Sequence, residues 1–265
     1  MPGIGLGTSP VFMRRAPFTP LVLFAAGEQG VWYDPSDLST MFQDTGGTTP
    51  VTATGQSVAL IRDKSGRGNH ASQATASQRP TLQQDASGRY YLSFDGVDDG
   101  LATANIAFTA SDKIMLAAGV RKLSDAVSGV VLETSAVWAS NAGAFGLFAP
   151  SSSAANYGFA SRGSGVGGST IQAGFASPNT SVLVGLGDIA NDRADLRING
   201  TQYGNATLDQ GTGNYGTYPL YIGRRAGTSA PFNGRLYGAI VRGGAVTADQ
   251  LAQVETWLNA KTGAF

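Results

Sequence analysis

Carboxylates, hydroxyls and a single histidine are the groups in this sequence that could do chemistry. Retaining glycoside hydrolysis needs a nucleophile and an acid/base carboxyl about 5 Å apart. Glutamate stands only at 28, 133 and 255, and none of the three has a second glutamate within reach along one strand. Asp188, Asp192 and Asp195 lie closer together, but they precede a hairpin, where aspartate commonly serves the turn. A serine hydrolase is no better supported: His70 is the only histidine, it sits among Gly and Asn, and no Gly-x-Ser-x-Gly elbow is present. One histidine and no cysteine disfavour zinc. Gly3-Ile4-Gly5-Leu6-Gly7 follows no strand and opens no βαβ unit, so it carries no nucleotide reading. Asp95, Asp98 and Asp99 offer hard oxygen ligands in a glycine-bearing loop, which suits calcium, although Asx turns are the commoner use of such aspartates. The expectation is a protein that is not an enzyme.

The elements that must position these groups are strands. The 265 residues are 42% hydrophobic, enough for a sizeable core in one main domain. Eighteen basic residues balance eighteen acidic ones, and no Lys/Arg-rich run occurs, which argues against nucleic acid and an anionic membrane surface. No segment is long enough to insert across a membrane. With no cysteine, neither disulfides nor thiolate metal sites are available, and assembly in a reducing cytoplasm fits. The 37 glycines and 14% charged residues indicate many turns between short strands.

The polar stretch Ile61-Arg62-Asp63-Lys64-Ser65-Gly66-Arg67-Gly68-Asn69-His70 reads as a tight reversal after the strand of Val58, Leu60 and Ile61. Before it, Trp32-Tyr33 reads as packing, and Asp34-Pro35 predicts a capped helix ending near Asp44. Loops are expected over 45–55 and 73–84. From Arg89 onward strand signals recur over 90–94, 113–122, 129–133, 145–148, 157–160, 181–189, 195–198, 201–203, 220–223 and 235–242, the spacing of a sandwich or barrel. Asn199-Gly200 predicts a type I′ hairpin. Residues 150–169 read as a mobile loop or a strand broken by glycines. Thr247-Ala248-Asp249-Gln250 is a capping box that opens a closing helix with Leu251, Val254 and Leu258 on one face and Gly263 as its stop.

Asp63-Lys64-Ser65-Gly66-Arg67-Gly68-Asn69-His70, then Leu92-Ser93-Phe94-Asp95-Gly96-Val97-Asp98-Asp99, and the closing strand with its capped helix together resemble the laminin-G/concanavalin-A-like jelly roll. The versions carried by structural proteins of tailed bacteriophages are the nearest likeness, and the resemblance runs from about Val31 to Gly263. It implies an all-β jelly-roll sandwich with an extended N-terminal arm and short helices near the N-terminus and at the C-terminus, divided as an arm over 1–30 and a domain over 31–265. Glucanases of this fold need a Glu-x-Asp-x-x-Glu strand, which is absent here. The resemblance further implies a virion protein on the particle exterior, assembled in the host cytoplasm. A tail-associated fibre or adhesion module is the preferred form. A head decoration (cement) protein and a cellular carbohydrate-binding protein are the alternatives.

Residues 1–26 mimic a secretory leader, but Pro17 and Pro20 interrupt a short apolar run. An arm that docks on other virion proteins is preferred, with Val11, Phe12, Phe18, Leu21 and Phe24 as anchors. A plain short helix with Thr19 as N-cap and Pro20 at N1 is the bland alternative. If the exposed part binds anything, it is expected to bind host-surface glycan, weakly per copy and usefully through a homo-oligomer. Tyr157, Phe159, Tyr215 and Tyr218 are the candidate stacking residues. Each has a rival role in packing.

Overall fold

In the computed structural model, which describes residues 17–165 and 167–265, the chain folds as two packed antiparallel sheets closed by one helix. A short 3₁₀ helix at Pro20–Phe24 leads into β1 (Gly30–Tyr33), β2 (Met41–Phe42), β3 (Leu60–Ile61), β4 (Ala71–Ser72), β5 (Thr81–Gln84), β6 (Tyr90–Asp95), β7 (Leu101–Ala107) and β8 (Lys113–Lys122). There follow β9 (Val130–Thr134), β10 (Phe145–Phe148), β11 (Asn156–Ser161), β12 (Gly168–Ala173), β13 (Asn179–Asp188), β14 (Arg193–Ile198), β15 (Thr201–Ala206), β16 (Thr217–Ile222), β17 (Asn233–Gly243) and α1 (Ala248–Thr262). The first sheet has the order β15-β14-β13-β8-β17-β6-β5, with β1 added on β17. The second runs β12-β11-β10-β9-β16-β7-β4-β3-β2.

Strand alternation accounts for the core. Leu116, Ala118 and Val120 of β8 and Leu183 of β13 point between the sheets to meet Leu132, Leu147 and Phe159 of the second sheet. The intervening Met115, Ala117, Val182 and Val184 point the other way and would face water if nothing covered them. Helix α1 lays Val254 and Leu258 over them, and Leu23 and Phe24 of the 3₁₀ helix complete this second cluster. The helix begins and ends as its sequence dictates: Thr247 and Gln250 cap each other reciprocally, and Gly263 takes the left-handed φ of 61°. Asn199 and Gly200 both have positive φ at the β14–β15 hairpin tip, at 51° and 76°.

The Asp63–His70 stretch is a turn built around one buried carboxylate. Asp63 Oδ1 accepts the Trp32 and Ser65 amides, and Oδ2 accepts the Ser65 hydroxyl and the Asn69 amide. His70 Nδ1 accepts the Asp63 amide at 3.0 Å, so the lone histidine is a turn residue. From this hub Asn69 Nδ2 donates to the Gly30 carbonyl and Arg67 donates to the Phe24 carbonyl. The turn therefore fastens β1 and the helix before it to the sandwich.

Several expectations are corrected here. No helix follows Pro35: a 3₁₀ turn at Leu38–Thr40 gives way at once to β2, because Met41 and Phe42 pair with Ile61 and Leu60. Asp34 instead accepts the Ser36 amide and receives Lys261 Nζ at 2.9 Å, which ties the end of α1 to the N-terminal strand. Residues 81–84, expected as loop, are β5, whereas in 150–169 the strand reading holds, with β11 and the start of β12 there.

Of the expected arm anchors, Val11 and Phe12 lie outside the described residues. Phe24 is buried in the protein's own second cluster and Phe18 packs half-buried against it, because the apolar outer face of the first sheet is the nearest surface to cover. Leu21 remains exposed, as does Val22 beside it. Among the described residues no helix is long and apolar enough to cross a membrane.

Candidate functional site

The aromatic residues expected to meet a sugar do not form a site. Tyr157, Phe159 and Tyr215 are buried between the sheets, and this corrects the expectation that they stack on a ligand. The two tyrosine hydroxyls are satisfied internally, Tyr157 with Asn179 Oδ1 at 3.0 Å and Tyr215 with Ser161 Oγ at 2.6 Å. Burial pushes both phenols well above their ordinary range. Phe159 lies against Gly185, where a Cβ would sit only 2.1 Å from its ring. The signal was present in the sequence: Tyr157-Gly158-Phe159-Ala160 alternates large and small, and a strand turns every large residue to one face. Tyr218 is half-buried and donates to the Ala142 carbonyl at 2.9 Å.

The acidic candidates are brought together but are occupied. Ligand atoms of Asp95, Asp98 and Asp99 lie within 4.8 Å of one another, so the three could present oxygens to one cation. Asp95 Oδ1 already accepts the Val97 and Asp98 amides, and Asp99 accepts the Asp95 amide, the Asx-turn use of such residues. Burial, then the neighbouring Asp95 charge, pushes the Asp99 carboxyl up to about 6. Asp188 is held by Lys113 and Asn191, and Asp195 by Arg193. Asp192 accepts the Gln210 amide from a left-handed turn position.

Every glutamate of the chain is paired with an arginine, Glu28 with Arg242, Glu133 with Arg225 and Glu255 with Arg197. Carboxylates committed in this way hold the fold rather than a substrate. Burial pushes the Glu133 carboxyl up against the downward pull of Arg225.

A different set of residues surrounds a cavity of about 450 Å³ on the helix-bearing face of the first sheet. Register builds it. Thr180 of β13, Arg121 of β8, Arg235 of β17 and Ser93 of β6 lie directly opposite one another across four strands. Because Val120 and Leu236 point into the core, Arg121 and Arg235 point out of it. Tyr91 of β6 and Tyr237 of β17 form an aromatic wall, with ring centroids 5.3 Å apart, and the Arg235 guanidinium lies 4.6 Å above the Tyr91 ring. The C-terminal end of α1 and the 85–89 turn enclose the rest.

There Arg89 stands 3.9 Å from Asp85, and the Tyr237 hydroxyl donates to the same carboxylate at 3.4 Å. Gly263 suits this rim by its backbone conformation. Its φ is left-handed, and a side chain would approach the Arg89 guanidinium to 2.4 Å.

The electrostatics of this cavity are unbalanced. Three guanidiniums, of Arg89, Arg121 and Arg235, face one carboxylate, Asp85. Arg121 and Arg235 are a like-charged cross-strand pair, an arrangement that works against folding. Arg121 makes one long contact, from its guanidinium to Thr180 Oγ1 at 3.4 Å, and its Nε is buried with no partner among the described residues. Burial pushes the Tyr237 phenol up, against the pull of the neighbouring Arg235. The cavity can bind an electron-rich, hydroxyl-bearing ligand against an aromatic wall, and it contains no carboxylate pair for acid/base work.

Two face-to-face antiparallel sheets, one carrying a helix and a polar cavity on its outer face, define a lectin-like jelly roll. The chain belongs to the concanavalin A-like lectin/glucanases superfamily, whose family model matches residues 95–252. No curated protein sequence matches it. Among solved structures it is similar to botulinum neurotoxin type C, which depends on interaction with two ganglioside molecules to enter cells. That similarity has 12% identity and a TM-score of 0.56, over 87% of this chain and 51% of the other.

It is also similar to the ligand-binding domain of botulinum neurotoxin serotype D, solved in complex with N-acetylneuraminic acid. There the identity is 11% and the TM-score 0.54, over 77% and 48% of the two chains. The binding domain of Paraclostridial Mosquitocidal Protein 1 matches at 12% identity and a TM-score of 0.55, over 76% and 49%. The chain thus spans about half the length of these structures, and at such identity the shared property is the fold.

Proposed function

We propose that this protein is a non-enzymatic carbohydrate-binding module whose saccharide site is the cavity bounded by Tyr91, Arg121, Arg235 and Tyr237. The observation that carries the reading is that cavity: aromatic rings and three guanidiniums facing a single carboxylate meet in a volume of about 450 Å³, within the roughly 300–1,000 Å³ range of small-molecule sites. Stacking on a tyrosine ring suits the apolar face of a sugar, and guanidinium forks suit its oxygens. The ganglioside and sialic acid ligands of structures with the same fold support the choice of ligand class. Engagement of all three glutamates with arginines supports binding without hydrolysis.

The test is a glycan array probed with the chain displayed in several copies, beside a Tyr91→Ala/Tyr237→Ala variant. Saccharide binding that the double substitution abolishes while the fold persists supports the reading. Binding unaffected by it removes the cavity as the site.

The wider setting we propose is a tailed-phage particle, with the module on its exterior, fixed to other virion proteins through its N-terminal segment and acting in several copies. Its support is the resemblance carried by the Asp63–His70 turn, together with Leu21 and Val22. Each of these two is 49% exposed on a short helix whose other face is locked to the sandwich. Replacing both by aspartate should leave the domain folded and prevent its incorporation into particles. Normal incorporation of that variant contradicts the attachment proposal.

A further inference from the structure

We propose that the saccharide taken by this cavity is an anionic one, held by a ring carboxylate or sulfate ester placed between Arg121 and Arg235. The inference rests on the saccharide reading and adds the charge class of the ligand. Arg121 and Arg235 are strand neighbours in direct register on one face, and nothing in the pairing pattern requires two cations there. Like charges at such a position cost stability, and an oxyanion bridging them reverses the sign of that cost. Asp85, the only carboxylate in the cavity, is already committed to Arg89 and to the Tyr237 hydroxyl, so it neutralises neither strand arginine.

Arg121 also keeps a buried Nε without a partner. The terminal nitrogens of Arg121, held by one long contact to Thr180, are the donors that a carboxylate or sulfate takes in pairs. Arg235 lies 4.6 Å over the Tyr91 ring, which holds its guanidinium beside that of Arg121. The chain as a whole is neutral, with eighteen residues of each sign, so the positive charge here is local to one cavity rather than part of a basic surface. A sugar-sized anion fits that distribution and an extended polyanion does not.

The experiment is calorimetric titration of the full chain at about 50 mM salt with four probes of matched size where size applies: an oligosaccharide carrying one hexuronate, an oligosaccharide carrying one sulfate ester, the neutral parent oligosaccharide, and inorganic sulfate alone. The expected result is at least tenfold tighter binding of one of the two acidic oligosaccharides than of the neutral one, with the preference shrinking as salt rises. The arm that binds tighter identifies the anionic group. Inorganic sulfate alone should bind weakest of the anions. Arg121→Gln and Arg235→Gln should each remove most of the preference, while Arg193→Gln, on β14 outside the cavity, should leave it intact.

The two glutamine variants should melt no lower than the parent chain without ligand, because each relieves the opposed pair. Equal affinity for neutral and acidic oligosaccharides, lost in the Tyr91→Ala/Tyr237→Ala variant, overturns the anionic inference and leaves the saccharide reading standing. Binding of inorganic sulfate as tight as that of the sulfated oligosaccharide overturns the inference that a saccharide carries the charge. Binding of no oligosaccharide by a folded chain overturns both.

Discussion

Replacing Asp63 by alanine should weaken the whole fold, although the residue lies in a surface turn. Its carboxylate accepts four hydrogen bonds, from the amides of Trp32, Ser65 and Asn69 and the hydroxyl of Ser65, at 2.9, 2.8, 3.1 and 2.7 Å. A hydrogen bond to a charged group contributes about 1.5–3 kcal/mol, and such terms do not add when the donors share one acceptor. Trp32 is 8% exposed and Ser65 2%, so their orphaned donors lose their partner without full access to water. We expect a loss of about 3–5 kcal/mol for Asp63→Ala, and about half of that for Asp63→Asn, which keeps one accepting oxygen.

Against a total stability of about 5–15 kcal/mol this is a large fraction. It should appear in urea unfolding as a lower midpoint at nearly unchanged slope. Asp209→Ala is the control: that carboxylate also accepts an amide, that of Gly211, but in an exposed turn, and its loss should cost under about 1 kcal/mol. An Asp63→Ala variant within about 1 kcal/mol of the parent chain would refute the claim that this turn is a structural hub.

Other consequences can be checked in the same way. Glu133→Ala strands the Arg225 guanidinium beside a buried site and should cost about 3–5 kcal/mol in urea unfolding; a cost under 1 kcal/mol would show the pair to be incidental. Asp99 has a folded carboxyl raised to about 6, so its contribution is fully present below its ordinary value and is lost as pH rises through about 6. Asp99→Asn should therefore be up to about 3 kcal/mol more stable than the parent at pH 7.5 and indistinguishable from it near pH 4, and a pH-independent difference would contradict this. Gly263→Ala meets both a left-handed φ of 61° and the Arg89 guanidinium; it should lower stability by about 1–2 kcal/mol and weaken saccharide binding, measured by melting and titration.

The framework was legible where local signals and burial agree. The short apolar runs Lys113–Lys122 and Phe145–Phe148 bounded by turn residues, the Asn199-Gly200 tip and the Thr247–Gln250 capping box each specify an element that the structure contains. β1 was not legible as a strand, because Gly30–Tyr33 is only four residues long and runs directly into the turn and capping signals of Asp34-Pro35. The helix read from Asp34-Pro35 yielded to tertiary pairing, since Asp34 is drawn to Lys261 and Met41-Phe42 to β3.

The binding cavity was hidden for a different reason. Arg121 and Arg235 are each a lone charge on the outer side of an apolar strand, and only the β8–β17 register sets them opposite one another. Strand periodicity marks each of them as facing out, but no single-sequence pattern announces that they face out together. Phe24 fails as an attachment anchor and Tyr157 as a ligand contact because large apolar side chains find their own core first.

The most direct test of the account is a nuclear magnetic resonance titration of the full chain with the acidic oligosaccharide that binds tightest. The Nε–H resonances of Arg121 and Arg235 and the ring resonances of Tyr91 and Tyr237 should shift together and saturate at one ligand per chain, while the Arg193 Nε–H stays in place. Shifts clustered elsewhere, or saturation that leaves Arg121 and Arg235 unmoved, would contradict the claim that this cavity is the saccharide site.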